Sequence, residues 1–204
     1  MKKLILIAGL TAALSAPAFA TTNLIVNGDF TQPTLVVPWG QCDSCITGWT
    51  NANDMVEIGY SWVYGLTKIG SGVNLEANAN TWGNVSQTVT GLTKGAAYNL
   101  TFEYGGRAIG GVQSLDVSFG GKTLTTDTGS IDQWTLNSFT IVANSTSEVL
   151  QFKSNVTSGA PSYGNEISMV SLTAVPEVST WAMMLAGFAS LGFVGYRRRK
   201  TIQA

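Results

Sequence analysis

The chain has 204 residues, with eleven Lys and Arg, twelve Asp and Glu, and no histidine. Without histidine there is no Ser-His-Asp or Cys-His nucleophile pair, no His-ligated zinc and no imidazole acid–base catalysis. Charge is partitioned along the chain. Residues 21–174 carry eleven acids against five bases (Lys68, Lys94, Arg107, Lys122, Lys153), a net charge of −6 that disfavours a nucleic-acid partner.

The first twenty residues predict a secretory signal peptide. Lys2 and Lys3 are the positive region, Leu4 to Leu14 the apolar core, and Ala18-Phe19-Ala20 a small-x-small cleavage site. Residues 21–174 then form a stretch long enough for one domain with a sizeable core. Its hydrophobic period is two. Tyr98, Leu100, Phe102 and Tyr104 alternate with Asn99, Thr101 and Glu103, and Leu115, Val117 and Phe119 alternate with Asp116 and Ser118. Further strands are expected over 24–30, 73–77, 84–89, 134–142, 148–154 and 167–173. Gly70-Ser71-Gly72, Thr93-Lys94-Gly95, Gly120-Gly121-Lys122 and Ala143-Asn144-Ser145 supply turns between them. No amphipathic helix stands out in this region. The expectation is all-β: a two-sheet antiparallel sandwich.

Three groups of residues could carry chemistry. Cys42 and Cys45 are the only cysteines, in Cys42-Asp43-Ser44-Cys45. A redox site would open a helix in a βαβ setting and a zinc site would need further soft ligands, so an exported compartment favours a small structural disulfide. Carboxylates are the second group. A glycosidase needs two acids flanking one bond, for which Asp54, Glu57, Glu76 and Glu103 are the candidates. Aromatic residues are the third. Trp39, Trp49, Tyr60, Trp62, Tyr64 and Trp82 crowd into Gly- and Asn-rich segments. Trp49 is expected in the core, whereas Trp39, Trp62 and Trp82 are candidates to stack on sugar rings.

From Val178 to Tyr196 the chain has no Asp, Glu, Lys or Arg, and Arg197, Arg198, Arg199 and Lys200 follow at once. Nineteen helical residues reach about 28 Å, near the hydrocarbon thickness of a bilayer. The cations would stay on the cytoplasmic side and leave the preceding domain outside. Ala182, Ala186 and Ser190 would share one helix face, either a docking face for another helix or simple filler.

Val175-Pro176-Glu177, the apolar segment and the basic cap together resemble the PEP-CTERM sorting signal of exported bacterial proteins. That resemblance implies an exosortase, a membrane-embedded processing enzyme, as partner. Val178 departs from the family by replacing its second proline. A second resemblance lies upstream. Asn23-Leu24-Ile25-Val26-Asn27-Gly28-Asp29-Phe30 with Gly48-Trp49 is similar to the opening of galactose-binding-like jelly rolls. Val85-Ser86-Gln87-Thr88-Val89 with Gly95-x-x-Tyr98 is similar to their middle strands, and Gly164-Asn165-Glu166-Ile167 to their closing strand. It implies a glycan-binding fold, and a structural calcium held by Asp29 and Glu166. The domains expected are thus a signal peptide over 1–20, a galactose-binding-like sandwich over 21–174, and a sorting signal over 175–204 with its transmembrane helix at 178–196. The function expected is that of a non-catalytic exported surface or extracellular-matrix protein that binds exopolysaccharide. The alternative is a carbohydrate-active enzyme with paired carboxylates.

Overall fold

The computed structural model describes residues 22–32, 34, 39–42, 46–52, 56–60, 73–77, 84–106, 113–128, 133–156, 165–176 and 185–193. The expected signal peptide, Trp62, Trp82, Asp54, Cys45, Glu177 and the basic cap lie outside these residues.

Eleven strands are present among the described residues: β1 (Trp39–Cys42), β2 (Thr50–Ala52), β3 (Val56–Tyr60), β4 (Val73–Ala77), β5 (Asn84–Thr90), β6 (Ala97–Gly106), β7 (Gln113–Phe119), β8 (Lys122–Thr128), β9 (Trp134–Val142), β10 (Ser147–Val156) and β11 (Asn165–Ala174). They form two antiparallel sheets. The larger runs β1-β3-β4-β11-β6-β9 and the smaller β2-β5-β10-β7-β8. The all-β sandwich read from the period-two alternation is the observed architecture.

Alternation decides which side of each strand is buried. On β6, Tyr98, Leu100, Phe102 and Tyr104 are almost wholly buried and face the smaller sheet, while Asn99, Thr101 and Glu103 are partly exposed on the outer side. Val85 and Val89 of β5, Leu115 and Val117 of β7, and Leu150 and Phe152 of β10 meet them from across the sandwich. Aromatic rings bridge the layers. Phe102 meets Phe152 edge-on at 5.1 Å, Phe152 lies 6.0 Å from Trp49, and Trp49 lies 5.1 Å from Phe30. Trp49 is therefore core, as expected, and its indole N–H is satisfied by the Asn27 carbonyl at 3.1 Å.

One expected strand is not a strand. Residues 24–30 run as a turn-rich segment in which Asn27 and Phe30 take left-handed backbone angles (φ 51 and 54). β4 pairs with β11 only over Asn165–Ile167. Farther along β11 the opening segment touches it at two points: Leu24 N–H donates to the Leu172 carbonyl and Val170 N–H to the Gly28 carbonyl, each at 2.8 Å. The left-handed residues prevent a continuous ladder. Asn23 Oδ1 adds a third tie by accepting from Leu172 N–H at 2.9 Å.

Residues 185–193 are helical, and they expose Leu185, Phe188, Leu191 and Phe193. Among the described residues no helix is long and apolar enough to cross a membrane. The expected span over 178–196 is thus seen only over 185–193, nine residues that reach about 14 Å at 1.5 Å per residue.

Candidate functional site

The register of the larger sheet lines up residues that are far apart in sequence. Gln41 pairs with Glu57, Glu57 with Glu76, Glu76 with Glu166, Glu166 with Gly105, and Gly105 with Trp134. These six positions make one rank across all six strands. Two residues along each strand lies a second rank: Ser168 with Glu103, and Glu103 with Leu136. Ser171–Thr101–Ser138 and Thr173–Asn99–Thr140 follow. All these ranks have the parity opposite to Tyr98, Leu100, Phe102 and Tyr104, so they belong to the outer face of the sheet.

Exposure divides this face in two. On the β3–β11 side Glu57 and Glu166 are buried, at 7% and 0% exposed. Sequence alone could not show that any two acids converge, yet Glu57, Glu76 and Glu166 occupy directly opposed positions about 5 Å apart. Glu57 and Glu166 are both buried among the described residues. Of the other two candidate acids, Asp54 lies outside the described residues and Glu103 stands on the neighbouring strand β6.

On the β6–β9 side the face is open and polar. Thr101, Asn99, Ser138 and Thr140 present hydroxyl and amide groups, and Ser138 Oγ donates to Asn99 Oδ1 at 3.1 Å. Glu103 lies half-buried in the middle, and partial burial raises its carboxyl pKa above the ordinary glutamate range. Trp134, partly exposed, closes the end of this floor in register with Gly105. A floor of hydroxyls, an amide and a carboxylate, with exposed Leu136 among them and an aromatic ring at its end, has the chemistry to hold a sugar. The hydroxyls would exchange hydrogen bonds and the ring would stack.

Sequence reasoning missed Trp134, Asn99 and Ser138 as site residues. The signal was there in part. Trp134 opens a strand whose even-numbered members are Leu136, Ser138, Thr140 and Val142, but only the register places it beside Gly105. Among the expected stacking residues, Trp39 begins β1 at the opposite edge of the sheet, in register with Gly59. Trp62 and Trp82 lie outside the described residues. Cys42 ends β1, and its expected partner Cys45 also lies outside them.

The opening segment forms a second concavity. A groove of about 520 Å³ lies against the β11 bulge and is lined by Asn27, Asp29, Gln32, Met169 and Ser171 among others. Asp29 Oδ1 accepts the Thr31 hydroxyl at 3.1 Å and the Thr31 backbone N–H at 3.4 Å. The expected calcium partner Glu166 is not part of this groove; it sits in the glutamate rank instead. Among the described residues no three Asp, Glu, Cys or His form a group able to hold a metal.

Comparison with known proteins agrees with this architecture. The carbohydrate-binding module TmCBM61, solved in complex with β-1,4-galactotriose, superposes with a TM-score of 0.50 at 16% identity, over 76% of this chain and 99% of that one. The fold is shared. A xylan-binding CBM22-1 domain from Paenibacillus barcinonensis Xyn10C is similar at a TM-score of 0.46 and 14% identity, over 64% of this chain and 88% of its own. In sequence the chain is 29% identical to Halomucin of Haloquadratum walsbyi over 197 residues. That alignment takes in 86% of the chain but only 2% of the length of Halomucin. No protein-family model matches the chain.

Proposed function

We propose that this is a non-catalytic exported protein whose sandwich binds extracellular polysaccharide on the outer face of β11, β6 and β9. The observation that carries this reading is the open polar floor of Asn99, Thr101, Glu103 and Ser138 ending at Trp134 beside Gly105. Its fold is that of a module solved with a galactose oligosaccharide, which supports glycan as the ligand class. Trp39, at the start of β1, and Trp62 and Trp82 remain stacking candidates. Cys42 and Cys45 are proposed to form a structural disulfide.

Sorting belongs to the same reading. Val175 and Pro176 are exposed just beyond the end of β11, where a processing enzyme can reach them. In this reading an exosortase recognises Val175-Pro176-Glu177, the apolar helix inserts in the membrane, and Arg197 to Lys200 hold its cytoplasmic end.

The test is affinity electrophoresis of the full chain in mild detergent through galactan, xylan and a bacterial exopolysaccharide, with Trp134→Ala beside the native protein. A stacked ring contributes about 0.5–1.5 kcal/mol beyond area burial, so the variant should bind roughly 2–13-fold more weakly. Equal retardation of both proteins with unchanged melting would remove Trp134 from the site. Absence of retardation in every polysaccharide would overturn the glycan reading.

A further inference from the structure

The four strands that end the two sheets are not equally protected. β1 has four residues and β2 three, too short to template another chain. β8 carries Lys122 and Asp127, and its pairing with β7 is broken by a register shift between Val117 and Ser118. β9 has none of these devices. It is nine residues long, Trp134-Thr-Leu-Asn-Ser-Phe-Thr-Ile-Val142, with no proline, glycine or charge, and the chain bears no charge from Gln133 to Ser147. Among the described residues only β6 pairs with it, in unbroken register from Ala97–Val142 to Gly105–Trp134. Its outer side is open, with Leu136 at 64% and Val142 at 56% exposed. The region 21–174 carries a net charge of −6, and this edge bears none of it.

We propose that β9 is a self-association edge, where a second copy of this chain adds its own β9 antiparallel and joins two six-stranded sheets into one. The sequence suits a two-fold arrangement centred on Ser138. Leu136 then faces Thr140 of the second copy, and Trp134 faces Val142, on the outer face. Those pairs cover apolar side chains that the single chain leaves in water, and aromatic with β-branched pairs are favourable across antiparallel strands. Backbone N–H and C=O groups along this edge gain partners in the same step. A two-fold contact of this kind is closed, so it yields dimers and not fibres. The inference does not rest on sugar binding. If both hold, the two polar floors lie side by side and a weak site gains avidity.

The experiment uses the full chain in mild detergent. Sedimentation should show a concentration-dependent dimer, and Leu136→Lys should weaken it about tenfold or more while the melting temperature stays put, because lysine on an edge blocks pairing. A second variant, Ser138→Cys, places two cysteines across the axis at about 4.5–5.5 Å between Cα atoms, inside the range of about 4.4–6.8 Å that a disulfide spans. Oxidation should then cross-link Ser138→Cys well above native protein and above Lys153→Cys, a control on the flanked strand β10. A monomer at every concentration overturns the proposal. So does a dimer indifferent to Leu136→Lys, or cross-linking of Lys153→Cys as readily as Ser138→Cys.

Discussion

A methyl group added at Gly28 would stand 1.9 Å from the Val170 carbonyl oxygen and 2.9 Å from its carbon, both main-chain atoms of β11. Glycine is needed there for close approach, not for turn geometry, since the left-handed angles belong to Asn27 and Phe30. Gly28→Ala must push the opening segment off β11. Overpacking of this kind costs about 1–3 kcal/mol, or several degrees of Tm in a domain of this size. An unchanged melt would show that the segment yields freely. Glu103 gives a prediction of opposite sign. Its carboxyl pKa is raised in the folded chain by burial, so folding favours the protonated form. The folded state then holds more protons than the unfolded one between the two pKa values, and stability falls as pH rises through that window. Glu103→Gln should melt at the same or a higher temperature than native protein near neutral pH. That difference should vanish once pH drops below the ordinary glutamate range. A variant less stable at neutral pH would mean the carboxylate makes a favourable contact that outweighs its desolvation.

Gln87 shows how one side chain can hold an element in place. It faces inward on β5 between Val85 and Val89, only 4% exposed. Its Oε1 accepts Val26 N–H at 2.8 Å, and its Nε2 donates to the carbonyls of Val26 and Gly48 at 2.9 Å each. Gln87→Leu keeps the bulk and strands three backbone groups, at a cost on the order of 2–4 kcal/mol. Hydrogen exchange should quicken at Val26 and in the opening segment before it does in β6. Uniform loss of protection would instead mark Gln87 as part of the global core. Strand by strand, what the sequence revealed follows from how each strand is buried. β6 and β7 bury one side with strict alternation, so Tyr98 to Tyr104 and Leu115 to Phe119 could be read directly, whereas Trp134 to Val142 was legible from its apolar and β-branched content between turn signals. β3 could not, because Glu57, Ile58 and Gly59 are all buried and polarity stops alternating. β8 could not either, since Lys122-Thr-Leu-Thr-Thr is largely exposed and offers no apolar face. The segment 24–30 misled through its Leu-Ile-Val run, which is apolar enough for a strand but broken by Asn27. The proposed floor was the least legible part. Asn99, Glu103 and Trp134 come from β6 and β9, and register alone brings them together.

On the scale of the whole molecule, the sandwich and the segment after it obey opposite rules. The sandwich buries its large apolar side chains between two sheets, whereas residues 185–193 turn Leu185, Phe188, Leu191 and Phe193 outward, each more than 60% exposed. A helix apolar on every side finds its stable surroundings in lipid or against other apolar helices. Detergent-phase partitioning of the full chain should therefore place it with the detergent, despite a sandwich that carries a net charge of −6. If the segment is a discarded address, like lipid-anchor signals whose hydrophobic tail is removed, the protein isolated from its native surface should behave otherwise. It should partition to the aqueous phase, and its intact mass should end near Pro176 or Glu177. β11 closes at Ala174, and Val175 N–H still donates to the Ala97 carbonyl at 2.9 Å, so cutting after this point leaves the sheet whole. Removal should accordingly leave the melting temperature of the sandwich unchanged. A native species that still carries Arg197 to Lys200 would make the segment a permanent anchor. A processed species that melts lower would mean that the helix packs on the sandwich.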